Sequence, residues 1–106
     1  MELFSIPEAF TNKLRLSIIS ALVTGEKNFK ELQNLTDATS GNLGAQLVKL
    51  EEWGYINCTK EFINRKPQST YQLTEKGLSE FKGYVELLEN VLKGIDRESL
   101  SDMEDR

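Results

Sequence analysis

Asn42, Gln46 and Lys49 stand at positions i, i+4 and i+7 of one stretch, so on a helix they form a polar stripe along a single face. Asn and Gln carry a donor and an acceptor side by side and can pair bidentately with adenine, at about 1–3 kcal/mol of discrimination each, while a lysine ammonium meets guanine or phosphate. Gly41 and Ala45 in the same stretch let the helix backbone come close to whatever the stripe touches. A second cationic group, Arg65 and Lys66, lies beside Pro67 in a segment that reads as a turn, which would hold both charges outward toward phosphate or a minor groove. Each group also has a plainer reading. Asn42 and Gln46 can be solvated residues on an exposed helix, and basic turn tips commonly keep edge strands soluble.

Other chemistries are excluded by composition. The chain has no histidine and a single cysteine, Cys58, so an internal disulfide, a Cys/His zinc site, a Ser-His-Asp triad and a Cys-His pair cannot be built within it. No Gly-rich phosphate loop and no clustered acidic site suggests itself, and we expect neither an enzyme nor a cofactor or metal. Cys58 alternates with Ile56 and Phe62 at even steps, which makes it a buried structural residue before a redox sensor. Trp53 reads as a packing residue at the end of a helix.

The elements that must position these residues have to fit in 106 residues, enough for one domain with a modest core. A two-fold dimer is a natural way to bury more. Hydrophobic residues are 39% and charged residues 28% of the chain, ordinary for a globular protein. No apolar run approaches the roughly 20 residues of a membrane span, and Met1-Glu2-Leu3-Phe4 lacks the features of a signal peptide, so a cytoplasmic location is expected.

Pro7 suits a first helical turn, and Ile6, Phe10, Leu14, Ile18, Ala21 and Leu22 recur at helical steps, predicting an amphipathic helix through about Val23. Asn28 and Glu31 have the spacing of a capping box for a short helix from Phe29 to about Leu35. Lys27 and Lys30 open that helix, where phosphate is commonly met, though Glu26 and Glu31 dilute them. After a tight turn at Thr36-Asp37-Ala38, Thr39 is placed to cap a third helix with Leu43, Leu47 and Leu50 as its inner stripe, ending at Trp53-Gly54. The period then changes to two. A strand from Tyr55 to Ile63, a turn at Asn64-Arg65-Lys66-Pro67 and a strand from Ser69 to Leu73 make a hairpin with a basic tip.

Thr74 caps a last helix from Glu75 to about Gly94, in which Leu78, Phe81, Val85, Leu88, Leu92 and Ile95 form an a/d seam. Such a seam exceeds what one side of a small domain needs. Its end from Val85 to Ile95, widened by Tyr84 and Val91, is expected to pack on a second subunit, with Leu3, Phe4, Ile6 and Phe10 as the partner surface. Residues 1–94 are thus read as the domain with its dimerisation helix, and residues 95–106 as an acidic flexible tail. That tail holds five acidic against two basic residues, so of the net charge of −4 only −1 remains on residues 1–94.

The stretches Asn12-Lys13-Leu14-Arg15-Leu16-Ser17-Ile18-Ile19-Ser20-Ala21-Leu22, Phe29-Lys30-Glu31-Leu32, Gly41-Asn42-Leu43, Leu50-Glu51-Glu52-Trp53-Gly54-Tyr55-Ile56 and Arg65-Lys66-Pro67-Gln68-Ser69-Thr70-Tyr71-Gln72-Leu73-Thr74-Glu75-Lys76-Gly77 together resemble the small stand-alone prokaryotic winged-helix regulators related to the MarR and ArsR repressors. The resemblance covers roughly residues 10 to 90. It agrees with the mainly α fold with a small β-hairpin read above, in the order helix, helix, helix, strand, strand, helix, which the seam leads us to expect to dimerise through its terminal helices. It also implies a third helix in the major groove of double-stranded DNA and a hairpin wing on the flanking backbone or minor groove. Carried over by position, the DNA contacts are Thr39, Ser40, Asn42, Ala45, Gln46 and Lys49 on the third helix, beside Gly41, and Lys60, Arg65 and Lys66 on the wing. Three positions depart from the family pattern. Asp37 stands where Gly is usual, although Asp tolerates the left-handed conformation; Gly44-Ala45-Gln46 replaces a stretch that often has Ser and His; and Gln68 sits where a basic wing residue is frequent.

The reading that follows is a homodimeric transcriptional regulator that binds double-stranded DNA sequence-specifically, with room for a small-molecule effector between subunits. Its alternative is a winged-helix protein-interaction module without DNA binding, to which the acidic balance lends support.

Overall fold

Leu43, Leu47 and Leu50 turn inward as one stripe, buried against Ile18, Ile19 and Leu22 of the first helix, Leu32 of the second, and Tyr55 and Ile56 at the root of the hairpin. Truncating a buried leucine to alanine in such a core costs about 2–5 kcal/mol. The computed structural model describes the backbone of residues 1–104 and the side chains of residues 1–94. Two short 3-10 turns, Leu3–Ser5 and Glu8–Phe10, precede α1 (Lys13–Val23), β1 (Lys27–Asn28), α2 (Phe29–Thr36), α3 (Ser40–Glu52), β2 (Ile56–Ile63), β3 (Lys66–Leu73) and α4 (Glu75–Glu104). The strands form an antiparallel sheet in the order β1-β3-β2.

Local signals explain most boundaries. Asn28 and Glu31 close the expected capping box at 2.8 and 3.1 Å. Asp37 takes the left-handed conformation, φ 56° and ψ 27°, that ends α2. At the end of α3, Gly54 has φ 81°, its N–H donates to the Glu51 carbonyl at 3.0 Å, and that of Tyr55 donates to Leu50 at 2.9 Å. This is a Schellman motif, in which a left-handed glycine satisfies carbonyls that the helix end would orphan.

Several expectations are corrected. The first helix begins at Lys13, not at Pro7, because Asn12 is extended and its side chain accepts the Arg15 N–H at 3.0 Å, an N-cap that starts a new helix after the 3-10 turn. Lys27 and Asn28 form β1, paired with Tyr71 and Thr70, a strand too short to show any period. The hairpin turn is Asn64-Arg65 alone, both left-handed, and Ile63 pairs with Lys66, so β3 begins three residues before Ser69. Pro67 is tolerated there because β1 covers β3 only at Thr70 and Tyr71, which leaves β3 an edge on that side at Pro67. Cys58 is half-buried and Phe62 is 79% exposed. Alternation on β2 buries side chains only where the helices cover the sheet, and the hairpin projects beyond them. Finally, α4 continues to Glu104, ten residues past the expected end at Gly94.

α4 is locked to the body through Thr74 and Gly77. The Thr74 N–H donates to the Tyr55 carbonyl at 3.0 Å and its hydroxyl to the Gly54 carbonyl at 2.6 Å, while that same hydroxyl accepts the Gly77 N–H at 3.0 Å. A Cβ on Gly77 would overlap the Tyr55 carbonyl oxygen, so only glycine lets the helix come this close. Above this junction Phe10 is buried, stacked on Tyr84 at 5.0 Å between ring centres and tilted against Tyr55 and Phe81.

Candidate nucleic-acid interface

The turn Asp37-Ala38-Thr39 sets the angle at which α3 leaves α2. Thr39 caps α3 by accepting the Asn42 N–H at 3.2 Å, and Gln33 of α2 donates its amide to the Ser40 hydroxyl at 3.0 Å and to the Ala38 carbonyl at 3.3 Å. With the leucine stripe fixed inward, Thr39, Ser40, Gly41, Asn42, Ala45 and Lys49 are all exposed on the opposite side of the chain segment. Gln46 differs. It is half-buried, and its Oε1 accepts a hydrogen bond from Arg15 Nη1 at 2.8 Å.

Arg15 is the residue that the sequence reading missed. It is only 6% exposed, donates also to the Glu8 carbonyl at 2.9 Å, and lies over the Trp53 ring at 5.4 Å. Its signal was present. Arg15 shares the inward stripe of Ile18, Ile19 and Leu22, so a cation stands where the pattern calls for an apolar residue. Asn42 and Gln46 also line a groove of about 470 Å3 with Asn12, with Lys13 and Ser17 of α1, and with Thr36, none of which was expected at the site.

On the hairpin, Lys60, Arg65 and Lys66 are exposed. Arg65 occupies the second turn position with φ 66°, a conformation that costs a side-chain-bearing residue about 1 kcal/mol and that glycine normally fills. Lys66 points from the opposite face of the strand pair to Lys60, because Lys60 pairs with Ser69 and Lys66 with Ile63, an odd number of steps away. The wing thus carries cations on both faces and at its tip. Lys27 is turned back, its Nζ donating to the Thr24 hydroxyl at 3.3 Å and the Gly25 carbonyl at 3.4 Å, whereas Lys30 is exposed.

A second surface lies on the terminal elements. Leu3, Phe4, Val85, Leu88, Val91 and Leu92 are exposed apolar residues, with Phe4 wholly free of cover. Ile6 and Tyr84 are half-buried. Phe10, expected to face a partner, belongs to this chain's own core, and the Ile95 side chain lies outside the described residues. Among the described residues no cluster of metal-ligating side chains occurs, and no helix is long and apolar enough to cross a membrane.

Residues 14–92 match the family of the winged helix DNA-binding domain. An uncharacterized protein of Methanocaldococcus jannaschii is 31% identical over 88 residues, which cover 82% of this chain and 96% of that protein. The structure of a transcriptional regulator homologue from Pyrococcus horikoshii superposes with a TM-score of 0.76 at 29% identity, over 83% of this chain and 88% of its own. A structure described as a MarR-family transcriptional regulator from Enterococcus faecalis also gives 0.76, at 22% identity over 86% and 83% of the two chains. The matched span takes in α1, the helix-turn-helix, the wing and the described side chains of α4 almost to their end, and the chain belongs to the winged helix DNA-binding domain family.

Proposed function

We propose that this protein is a homodimeric transcriptional regulator that binds double-stranded DNA sequence-specifically, with α3 in the major groove and the β2-β3 wing on the neighbouring backbone or minor groove. One observation carries the reading: an exposed polar face on α3, with Asn42, Ala45 and Lys49 outward over a fully buried leucine underside, beside a hairpin whose tip holds Arg65 and Lys66 in solvent. A major-groove reader needs that division between a packed and a free side. Dimerisation is supported by the apolar residues left open on α4 and by a groove of about 450 Å3 between Met1, Leu3, Phe4 and Leu87, Val91, which a second copy would fill. Two-fold symmetry then sets half-sites about 34 Å apart on one side of the duplex.

Fluorescence anisotropy with a random duplex tests the reading. Binding at low salt should weaken steeply as salt rises, because each phosphate neutralised releases counterions. Changing Arg65 and Lys66 together to Ala removes up to two phosphate contacts from each subunit, four from a dimer, and should lower the slope of log K against log salt by up to about four. Absence of binding at low salt would leave the protein-interaction module as the better account.

A further inference from the structure

The Arg15-Gln46 hydrogen bond changes what Gln46 can read. A glutamine amide pairs with adenine by offering Oε1 to the N6 amino group and Nε2 to N7, whereas guanine presents two acceptors, O6 and N7. Here Oε1 is turned inward onto a guanidinium at 2.8 Å, which leaves the Nε2 amino group as the part of the amide not engaged by Arg15. Accepting from a cation weakens the oxygen as an acceptor and strengthens the N–H groups as donors, since linked hydrogen bonds polarise one another. The guanidinium donates its hydrogen bonds to neutral groups, the Gln46 amide oxygen and the Glu8 carbonyl, so its positive charge stands behind the amide and favours an electron-rich base edge in front of it. Its position is fixed from two further sides, by the Trp53 ring at 5.4 Å and by 94% burial of the residue, the complement of its 6% exposure.

We infer that Arg15 is a positioning residue for recognition, which holds Gln46 as a donor and thereby directs it to guanine rather than adenine at one base pair of each half-site. This rests on the DNA-binding reading above. It goes beyond it by assigning a base and by giving a role to a side chain that is itself too buried to touch DNA.

The test is selection of bound duplexes from a random pool with the full-length protein and three variants. The wild type should select guanine at a position where Gln46→Ala lowers the preference about 10-fold. Arg15→Met, which frees Oε1, should move the preference at that same position to adenine, a shift that loss of packing alone would not produce. Should Arg15→Met fail to fold, Gln46→Glu keeps an acceptor for the guanidinium while removing the donors, and it should replace guanine by cytosine, whose N4 amino group a carboxylate accepts. Adenine at the Gln46-dependent position in the wild type, a motif indifferent to Gln46→Ala, or guanine retained by Gln46→Glu would each overturn the assignment while leaving DNA binding intact. A wild type that retains no duplex at low salt would overturn the DNA reading and this assignment with it.

Discussion

Gly77 and Arg15 illustrate two residues whose types are set by contacts far away in sequence. Gly77 faces the Tyr55 backbone, and a methyl group there would overlap the carbonyl oxygen that also accepts the Thr74 N–H. Gly77→Ala should therefore cost about 1–3 kcal/mol, the usual range for overpacking, read as a lower urea midpoint with an unchanged m-value. An unaltered midpoint would mean that α4 is not seated as closely as described. The glycine was visible in the sequence as part of a family pattern, but its reason was not, because the clash is with a residue 22 positions earlier. Arg15 was overlooked for a related reason, although its place on the inward stripe was a signal. Hydrophobic patterning treats a charged residue as outward-facing, and only the tertiary partners Gln46, Glu8 and Trp53 make an inward arginine tolerable.

Among the elements, the helix-turn-helix was the most legible and the hairpin the least. Leucine spacing, the capping box and the Asp37 turn are all local signals, and each appears in the structure where the sequence put it. The start of α1 was misread at Pro7 because the capping capacity of Asn12, which begins the helix in the structure, was overlooked. The wing tip was placed too broadly because Arg65 adopts a conformation that the sequence advertises only for glycine or asparagine. That mismatch yields a prediction. Arg65→Gly should raise stability by about 1 kcal/mol, seen in thermal or chemical unfolding, and should at the same time weaken binding to duplex. Stabilisation without loss of affinity would show that the strained arginine serves nothing at the DNA, and no stabilisation would mean that its backbone is unstrained.

At the scale of the whole molecule, α4 governs both shape and charge. The radius of gyration, 17.7 Å, exceeds the roughly 13 Å of a compact domain of this size, and the extents are 70 × 24 × 21 Å. Residues 75–106 hold nine acidic and five basic residues, the entire net charge of −4, so residues 1–74 are formally neutral. The acidity that argues against DNA binding thus resides in the sequence of the element carrying the apolar seam, not in that of α3 or the wing. Leu88→Glu, which places a charge in that exposed seam, should convert a dimer to a monomer by light scattering at tens of micromolar and weaken binding to a palindromic site. A monomeric wild type, or a variant unchanged in mass and affinity, would remove the dimer from the account.

The claim on which the others depend is that α3 and the wing, not α4, form the face that meets duplex. Backbone amide shifts recorded by NMR while duplex is added would locate that face directly. The account predicts that the perturbed amides cluster in Thr39–Lys49 and Lys60–Lys66, with those of Val85–Leu92 unmoved. Perturbation confined to α4, or none in the stretch from Thr39 to Lys49, would contradict it.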